Sequence, residues 1–374
     1  MTTTPTPTGT RTASRPRPLA RADRSGARSG ARSAPLHAVP LPLCLVVLGA
    51  VLVVVILAAA AIGSVSVSLG DSWQVVRAHV FGGTVDPAYD QIVWNFRIPR
   101  VLLAALCGAG LAVTGVVLQA LVSNPLADPF ILGVSAGGSV GAVAVMALGA
   151  GALGGLGVSA AAFAGAMLAV ALVFLLGQQR GRLNPVRLVL AGVAVSYVFT
   201  SITSFLQLQT EPNNMRQIMF WLLGSVAGAH WDQLQVAGVV VVASTVLLSL
   251  SGRQLNALVT GDESATALGI DVKRLRLVLI VLTSLVAGVL IGVAGGIGFV
   301  GLMVPHLVRL AFGVDHRRLL PLAAVVGAIY LVVVDLLSRT VDPPNELPLN
   351  ILTALFGAPL FIWLMRRDRS LAHS

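Results

Sequence analysis

Residues 41–62 read LPLCLVVLGAVLVVVILAAAAI, twenty-two consecutive positions without a charged side chain. A helix of that length rises about 33 Å at 1.5 Å per residue, enough to cross a hydrocarbon layer about 30 Å thick. A surface helix of a soluble domain would carry a polar face, and this run has none. Working outward, similar runs recur along the chain, broken by Gly, Pro or charged residues. They predict ten helices: about 41–62, 98–121, 129–150, 156–177, 186–208, 234–251, 276–297, 299–313, 319–337 and 348–365. The whole chain has 374 residues, 56% hydrophobic and only 11% charged, a balance that soluble domains do not show. The expected fold is therefore all-α, a polytopic membrane protein with about ten transmembrane helices over 39–370.

Residues 1–38 are of another kind. Seven arginines stand among Thr, Pro, Ser, Gly and Ala with one acid, Asp23. Too little apolar surface is present to offset the cost of ordering, so a disordered tail is expected; an Arg- and Ser-rich transit peptide is the alternative. Ala58-Ala59-Ala60 resembles a signal-peptidase site, but the run around it is long enough to span, which favours an uncleaved first helix.

Charge places the loops. With the N-terminus in the cytoplasm, the inner side holds the seven tail arginines and thirteen more: Arg180, Arg182, Arg187, Arg253, Lys273, Arg274, Arg276, Arg309, Arg317, Arg318, Arg366, Arg367 and Arg369. The outer side holds five: Arg77, Arg97, Arg100, Arg216 and Arg339. Twenty against five obeys the positive-inside rule, with both termini cytoplasmic. The acidic stretch GDESATALGI (261–270) then lies in the largest internal cytoplasmic loop, 252–275.

Two repeats bear on packing. Gly133, Gly137 and Gly141, and again Gly288, Gly292 and Gly296, recur every fourth residue, which lets helix backbones approach closely. Segment 111–133 also aligns without gaps on 291–313, with identities at 113/293, 115/295, 125/305 and 133/313. One copy starts near the outer face and the other near the inner one, which suggests two five-helix halves of inverted topology, a common transporter plan.

Chemistry is sparse. GVSAG (133–137) has the G-x-S-x-G form, but it falls in a glycine-striped span rather than a strand-turn-helix. The single lysine, Lys273, sits in GIDVKRL, which is no Walker A loop, so this chain is not expected to hydrolyse nucleotide. The histidines show no metal-ligand spacing; His306 reads as a helix-end residue beside Pro305. Cys44 and Cys107 lie in apolar runs as packed thiols. No basic helix interleaves with aromatics, which argues against nucleic acid despite the net charge of +10. No cofactor and no resident metal are expected.

Ionisable residues avoid the span centres, which argues against a proton-driven carrier. Asp335, near an outer end, stands four residues before Arg339, a spacing that suits a helical ion pair. The fifth run holds Tyr197, Thr200, Ser204 and Gln207 on one helical face. This polar stripe reads either as the uncharged wall of a solute path or as groups bonded to neighbouring helices.

RIPRVLLAALCGAGLAVTGVVLQALVSNPLADPFILGVSAG (97–137), FWLLGSVAGAHW (220–231), GDESATALGI, GGIGFVGLMVPHLVRLAFGVDHRRLLP (295–321) and NELPLNILTALFGAPLFIWLMRR (345–367) together resemble the permease family of ABC importers for iron-siderophores, haem and cobalamin. The resemblance includes the motif residues Asn124, Pro125, Pro305 and His306 and runs from about 45 to 367; the Arg-rich tail departs from it. It implies a multi-pass subunit of the bacterial inner membrane, paired with a second permease subunit, two cytoplasmic ATPases and an extracytoplasmic binding lipoprotein. Ferric siderophore is the expected substrate, with cobalamin or haem as the alternative within the family. A proton-coupled secondary transporter is the alternative of another class, and a membrane-embedded enzyme a more distant one. Under the resemblance, Gly261, Asp262, Glu263, Ser264, Ala265, Leu268 and Gly269 form a coupling helix for the ATPase, with the acids choosing the partner by charge and Ala265 and Leu268 adding apolar contact. Arg97, Arg100 and Arg339 would meet acidic residues of the binding protein; otherwise Arg97 and Arg100 anchor a span at the headgroups and Arg339 pairs with Asp335.

Overall fold

The computed structural model describes residues 39–63, 67–179, 182–183 and 185–371; the Arg-rich segment 1–38 lies outside them. Fifteen α-helices follow in order among the described residues: α1 (Leu41–Ala61), α2 (Leu69–Phe81), α3 (Pro87–Asp90), α4 (Ile98–Val122), α5 (Val134–Leu148), α6 (Val158–Gly177), α7 (Pro185–Leu208), α8 (Pro212–Leu222), α9 (Trp231–Leu250), α10 (Gly252–Val259), α11 (Asp262–Ala267), α12 (Val272–Ala294), α13 (Val300–Phe312), α14 (His316–Ser338) and α15 (Leu349–Leu371). The extended structure described is one two-residue pairing, Gln178–Gln179 with Arg182–Leu183.

Seven helices are long and apolar enough to cross a membrane, and three shorter apolar ones, in α5, α13 and α15, complete the ten that the sequence predicts. The shortness of α5 and α13 has a physical cause. Before α5, Gly133 takes φ +70°, and before α13, Gly295 takes φ +70° and Phe299 φ +66°. Non-helical backbone of this kind is tolerated at membrane depth only where protein surrounds it. The helices α2, α3, α8, α10 and α11 are too short or too amphipathic to stand out as apolar runs. They start where local chemistry allows, α2 behind Ser68, whose Oγ accepts the Asp71 N–H at 3.0 Å, and α8 with Pro212 at its first position.

α4 is the axis of the bundle, buried along nearly its whole length. At Gly108 a Cβ would stand 2.0 Å from the Gly327 carbonyl oxygen of α14, and at Gly115 one would stand 1.9 Å from that of Gly301 in α13. Backbones meet here, and no side chain would fit between them. The inverted halves appear in this packing. The second span of the first half, α4, runs along α14, the fourth of the second half. Conversely α12, the second span of the second half, packs its Gly288 on Phe163 and Met167 of α6, the fourth of the first. Gly108 and Gly288 are separated by 180 residues, the offset of the sequence repeat. The ungapped register ends there, however. α12 stops at Ala294, whereas α4 continues to Val122, so 116–119 is helix while the aligned 296–299 is not. Gly295, turned to φ +70° against the Trp221 carbonyl, breaks the second copy early.

Candidate functional site

The α7 stripe opens onto a recess of ≈ 360 Å³, shared by Thr200, Ser204 and Gln207 with Ser196 and Thr203 of α7 and Ser135 and Ser139 of α5. Tyr197, expected on the same wall, does not line it; it lies 72% exposed at the edge of that helical face. A second recess of ≈ 410 Å³ adjoins the first through Phe130, Ser135 and Leu222, and adds Asp128, Gly296, Gly298 and Asn350. Its walls come from segments the chain breaks to deliver. Asn350 accepts the Gly298 N–H at 3.0 Å through Oδ1, and its own N–H reaches the Leu223 carbonyl at 3.1 Å. Asp128 Oδ1 accepts the Phe130 N–H at 3.0 Å and so caps the 3₁₀ turn 129–132. Burial pushes the Asp128 carboxyl, in the turn between α4 and α5, up to about 6, against the pull of that hydrogen bond. The two recesses form one lightly polar surface that can hold a large solute by many weak contacts. Ser135, of the G-x-S-x-G match, follows a 3₁₀ turn and an αL glycine rather than a strand.

Of the family-motif residues, Asn124, Pro125 and Pro305 shape the backbone. Asn124 Oδ1 accepts the Leu126 N–H at 2.9 Å, closing the turn that holds Pro125. Pro305 lies inside α13 and has no N–H for the carbonyl four residues back. That carbonyl, of Gly301, is met instead by Gln119 Nε2 of α4 at 3.1 Å, and Arg309 donates to the Oε1 of the same amide. His306, next to Pro305, is half-buried.

At one end of the bundle α10 and α11 form a short elbow. α10 buries Leu255 and Leu258, while Asn256 Nδ2 donates to Asp315 Oδ1 at 2.7 Å and Asn256 Oδ1 accepts the His316 N–H at 3.0 Å. Gly261 (φ +115°) and Gly269 (φ +79°) bracket α11 with open space around them, so both are required by backbone conformation rather than by room. Ala265 is fully buried within the chain. It cannot supply partner contact, contrary to the expectation; it is the pivot on which α11 rests. Leu268, 71% exposed, remains for that role. Asp262 is not free either, since its Oδ1 accepts from Arg276 at 2.8 Å and ties α11 to α12. Glu263 and Ser264 are exposed.

At the other end the three expected docking arginines turn inward. Arg97 donates through Nη1 to the carbonyls of Ala60 (3.0 Å) and Ala61 (2.7 Å), and Arg339 through Nη2 to that of Ala59 (2.6 Å). These are last-turn carbonyls of α1, which have no partner within their own helix; a guanidinium satisfies them and complements the helix dipole. Arg100 reaches Asp335 at 2.9 Å and Glu346 at 2.7 Å, while Arg339 Nε stands 3.5 Å from Asp335, the four-residue pair that the sequence suggests. Arg97 and Arg339 are buried rather than displayed. All three border a recess of ≈ 300 Å³ with Glu346.

The model of the FecCD transport family matches residues 51–367. The chain belongs to the FecCD transport family. This FecCD permease is similar to the cobalamin import system permease protein BtuC of Halobacterium salinarum, 44% identical over 74% of this chain and 73% of that one. It is also similar to the hemin transport system permease protein HmuU of Yersinia pestis, 39% identical over 85% of this chain and 93% of that one. A solved inward-facing metal-chelate type ABC transporter superposes with a TM-score of 0.77 at 33% identity, covering 87% of this chain and 99% of the other. The FecCD permease is therefore a multi-pass membrane subunit of an ABC importer of the iron-chelate, haem and cobalamin kind. Such a subunit works with separate ATPase and substrate-binding partners, and family membership displaces the proton-coupled and enzyme readings.

Sequence reasoning misses Asp128, Ser135, Ser139 and Asn350 as wall residues. Ser135 and Ser139 could have been found, being one turn apart on the face of α5. Asp128 reaches the recess from a turn and Asn350 from the first turn of α15, and no periodicity encodes where those chain ends lie.

Proposed function

We propose that the FecCD permease passes a bulky metal chelate, a ferric siderophore, across the bacterial inner membrane along the two joined recesses, which a second permease subunit completes. The observation that carries this reading is their lining, in which hydroxyls and amides from α5, α7 and α15 outnumber the single carboxyl, Asp128. The exposed face of α11, with Glu263 and Leu268, is the ATPase contact. Asp262–Arg276 passes a push on α11 to α12, and Asn256–Asp315 passes one on α10 to α14. Both termini are assigned to the cytoplasm on the charge bias of the loops. The binding lipoprotein meets the opposite end, inserting an acidic side chain into the recess bordered by Arg97, Arg100 and Arg339. Cobalamin or haem is the second reading, favoured by the names of the relatives.

Uptake into proteoliposomes tests this. Import of radiolabelled ferric siderophore is expected only with the ATPase, ATP and binding protein present. Import of cobalamin or haem alone would assign the second reading, and import following a proton gradient without ATP would end the proposal. The wall is tested separately by single cysteines at 200, 204 and 207 in a Cys44- and Cys107-free background. These should react with a water-soluble thiol reagent faster than cysteines at 198 and 202, and equal rates would remove α7 from the path.

A further inference from the structure

The two recesses hold one ionisable side chain among their lining residues, Asp128, and no Arg or Lys. Its carboxylate is nine-tenths buried. Capping the 129–132 turn uses one oxygen, a task that neutral Asn or Ser performs as well. The other oxygen, Oδ2, stands 3.3 Å from where a Cβ of Gly301 would be, and Asp128 lines the recess with Ser135, Gly298 and Asn350. Arg309, the basic residue of α13, is engaged with Gln119 on α4 and does not line the space. A carboxyl is thus placed where a neutral cap would serve, in a recess that also presents Phe130, Leu222, Phe299 and Leu302, low-dielectric side chains that focus a charge's field.

We propose that Asp128 gives this part of the path a charge preference, favouring chelates whose exposed surface is neutral or cationic and opposing polyanionic ones. The inference rests on the reading of the joined recesses as the solute path. A carboxylate here repels a polyanion over a distance at which water screens weakly, and it attracts cationic or hydrogen-bond-donating groups on a chelate.

The test measures the local potential without needing transport. Ser135→Cys is made in the Cys44- and Cys107-free permease, reconstituted in vesicles, and its reaction rates with cationic and anionic methanethiosulfonates of similar size are compared. Relative to a free thiol, the cationic reagent is expected to gain about tenfold. That gain should fall towards unity with Asp128→Asn, a change that keeps the cap to Phe130, and shrink as salt rises. If the thiol introduced at position 135 reacts with the same rate ratio in both backgrounds, the charge preference is overturned while the path stays intact. If that thiol reacts with neither reagent, the path itself is overturned, and the charge preference with it. In ATP-driven uptake, the rate ratio of a cationic to a trianionic ferric chelate of matched size should drop by a similar factor in Asp128→Asn, and an unchanged ratio again overturns the proposal.

Discussion

The two ends of the bundle use charge in opposite ways. Where α1 ends, Arg97, Arg100 and Arg339 point into the protein, and their donors go to helix-end carbonyls, Asp335 and Glu346. Where α10 and α11 form their elbow, Glu263 and Leu268 point away from the protein, and only Asp262 is held, by Arg276. Both ends look alike in sequence, a few charged residues between apolar runs. What separates them is supply: α1 leaves carbonyls unmet and α14 contributes a buried Asp335, so the arginines at that end have partners inside. The elbow turns on Gly261 and Gly269 and is tied to the start of α14 by Asn256, which leaves Glu263 and Leu268 facing outward.

The contrast can be broken first at the arginines, where the effect is largest. Arg339→Leu strips the Ala59 carbonyl and removes one partner of a fully buried carboxylate, so a loss of about 3–5 kcal/mol in stability is expected. The midpoint of thermal unfolding in detergent measures it, and a wild-type midpoint would mean that these arginines are not structural. Next comes the elbow. Glu263→Arg with Leu268→Asp should cost at least about tenfold in ATPase association, the factor that about 1.4 kcal/mol brings, with stability held within about 0.5 kcal/mol, as for surface changes generally. Co-purification and the same unfolding assay read both, and an intact complex would remove α11 as the contact. Smallest is Asp262→Asn. Because Asp262 is largely exposed, its pair with Arg276 contributes about 0–1 kcal/mol. The unfolding midpoint should hardly move, whereas ATP hydrolysis should respond less to binding protein; a large drop in midpoint would place Asp262 with the structural charges.

Much of this was legible beforehand, for stated reasons. Ten spans follow from apolar runs because lipid admits little else, and the glycine repeats at 137/141 and 288/292 mark close approach because only glycine permits it. The α7 stripe supplied three of its four residues to the recess wall, since a helical period fixes which residues share a face. Tyr197 failed because a period cannot say where that face ends. Ala265 failed because α11 has too few residues for a pattern to distinguish the side resting on the protein from the side leaving it. Of the arginines' inner partners, the four-residue pair of Arg339 with Asp335 was legible from spacing, and the rest were not. The partners of Arg97 and Arg339 are backbone carbonyls, which every residue possesses and no sequence letter reports.

The clamp on α1 also has a consequence for biogenesis. Ala59 and Arg339 are separated by 280 positions, and at synthesis rates of about 5–20 residues per second that interval lasts roughly 14–56 s. Arg97 can meet the Ala60 and Ala61 carbonyls soon after α1 is made, whereas the Ala59 carbonyl waits for Arg339. Until the ninth span emerges, the end of α1 is held through Arg97 and not yet through Arg339. Arg339 then closes the bundle like a latch on a door hung long before.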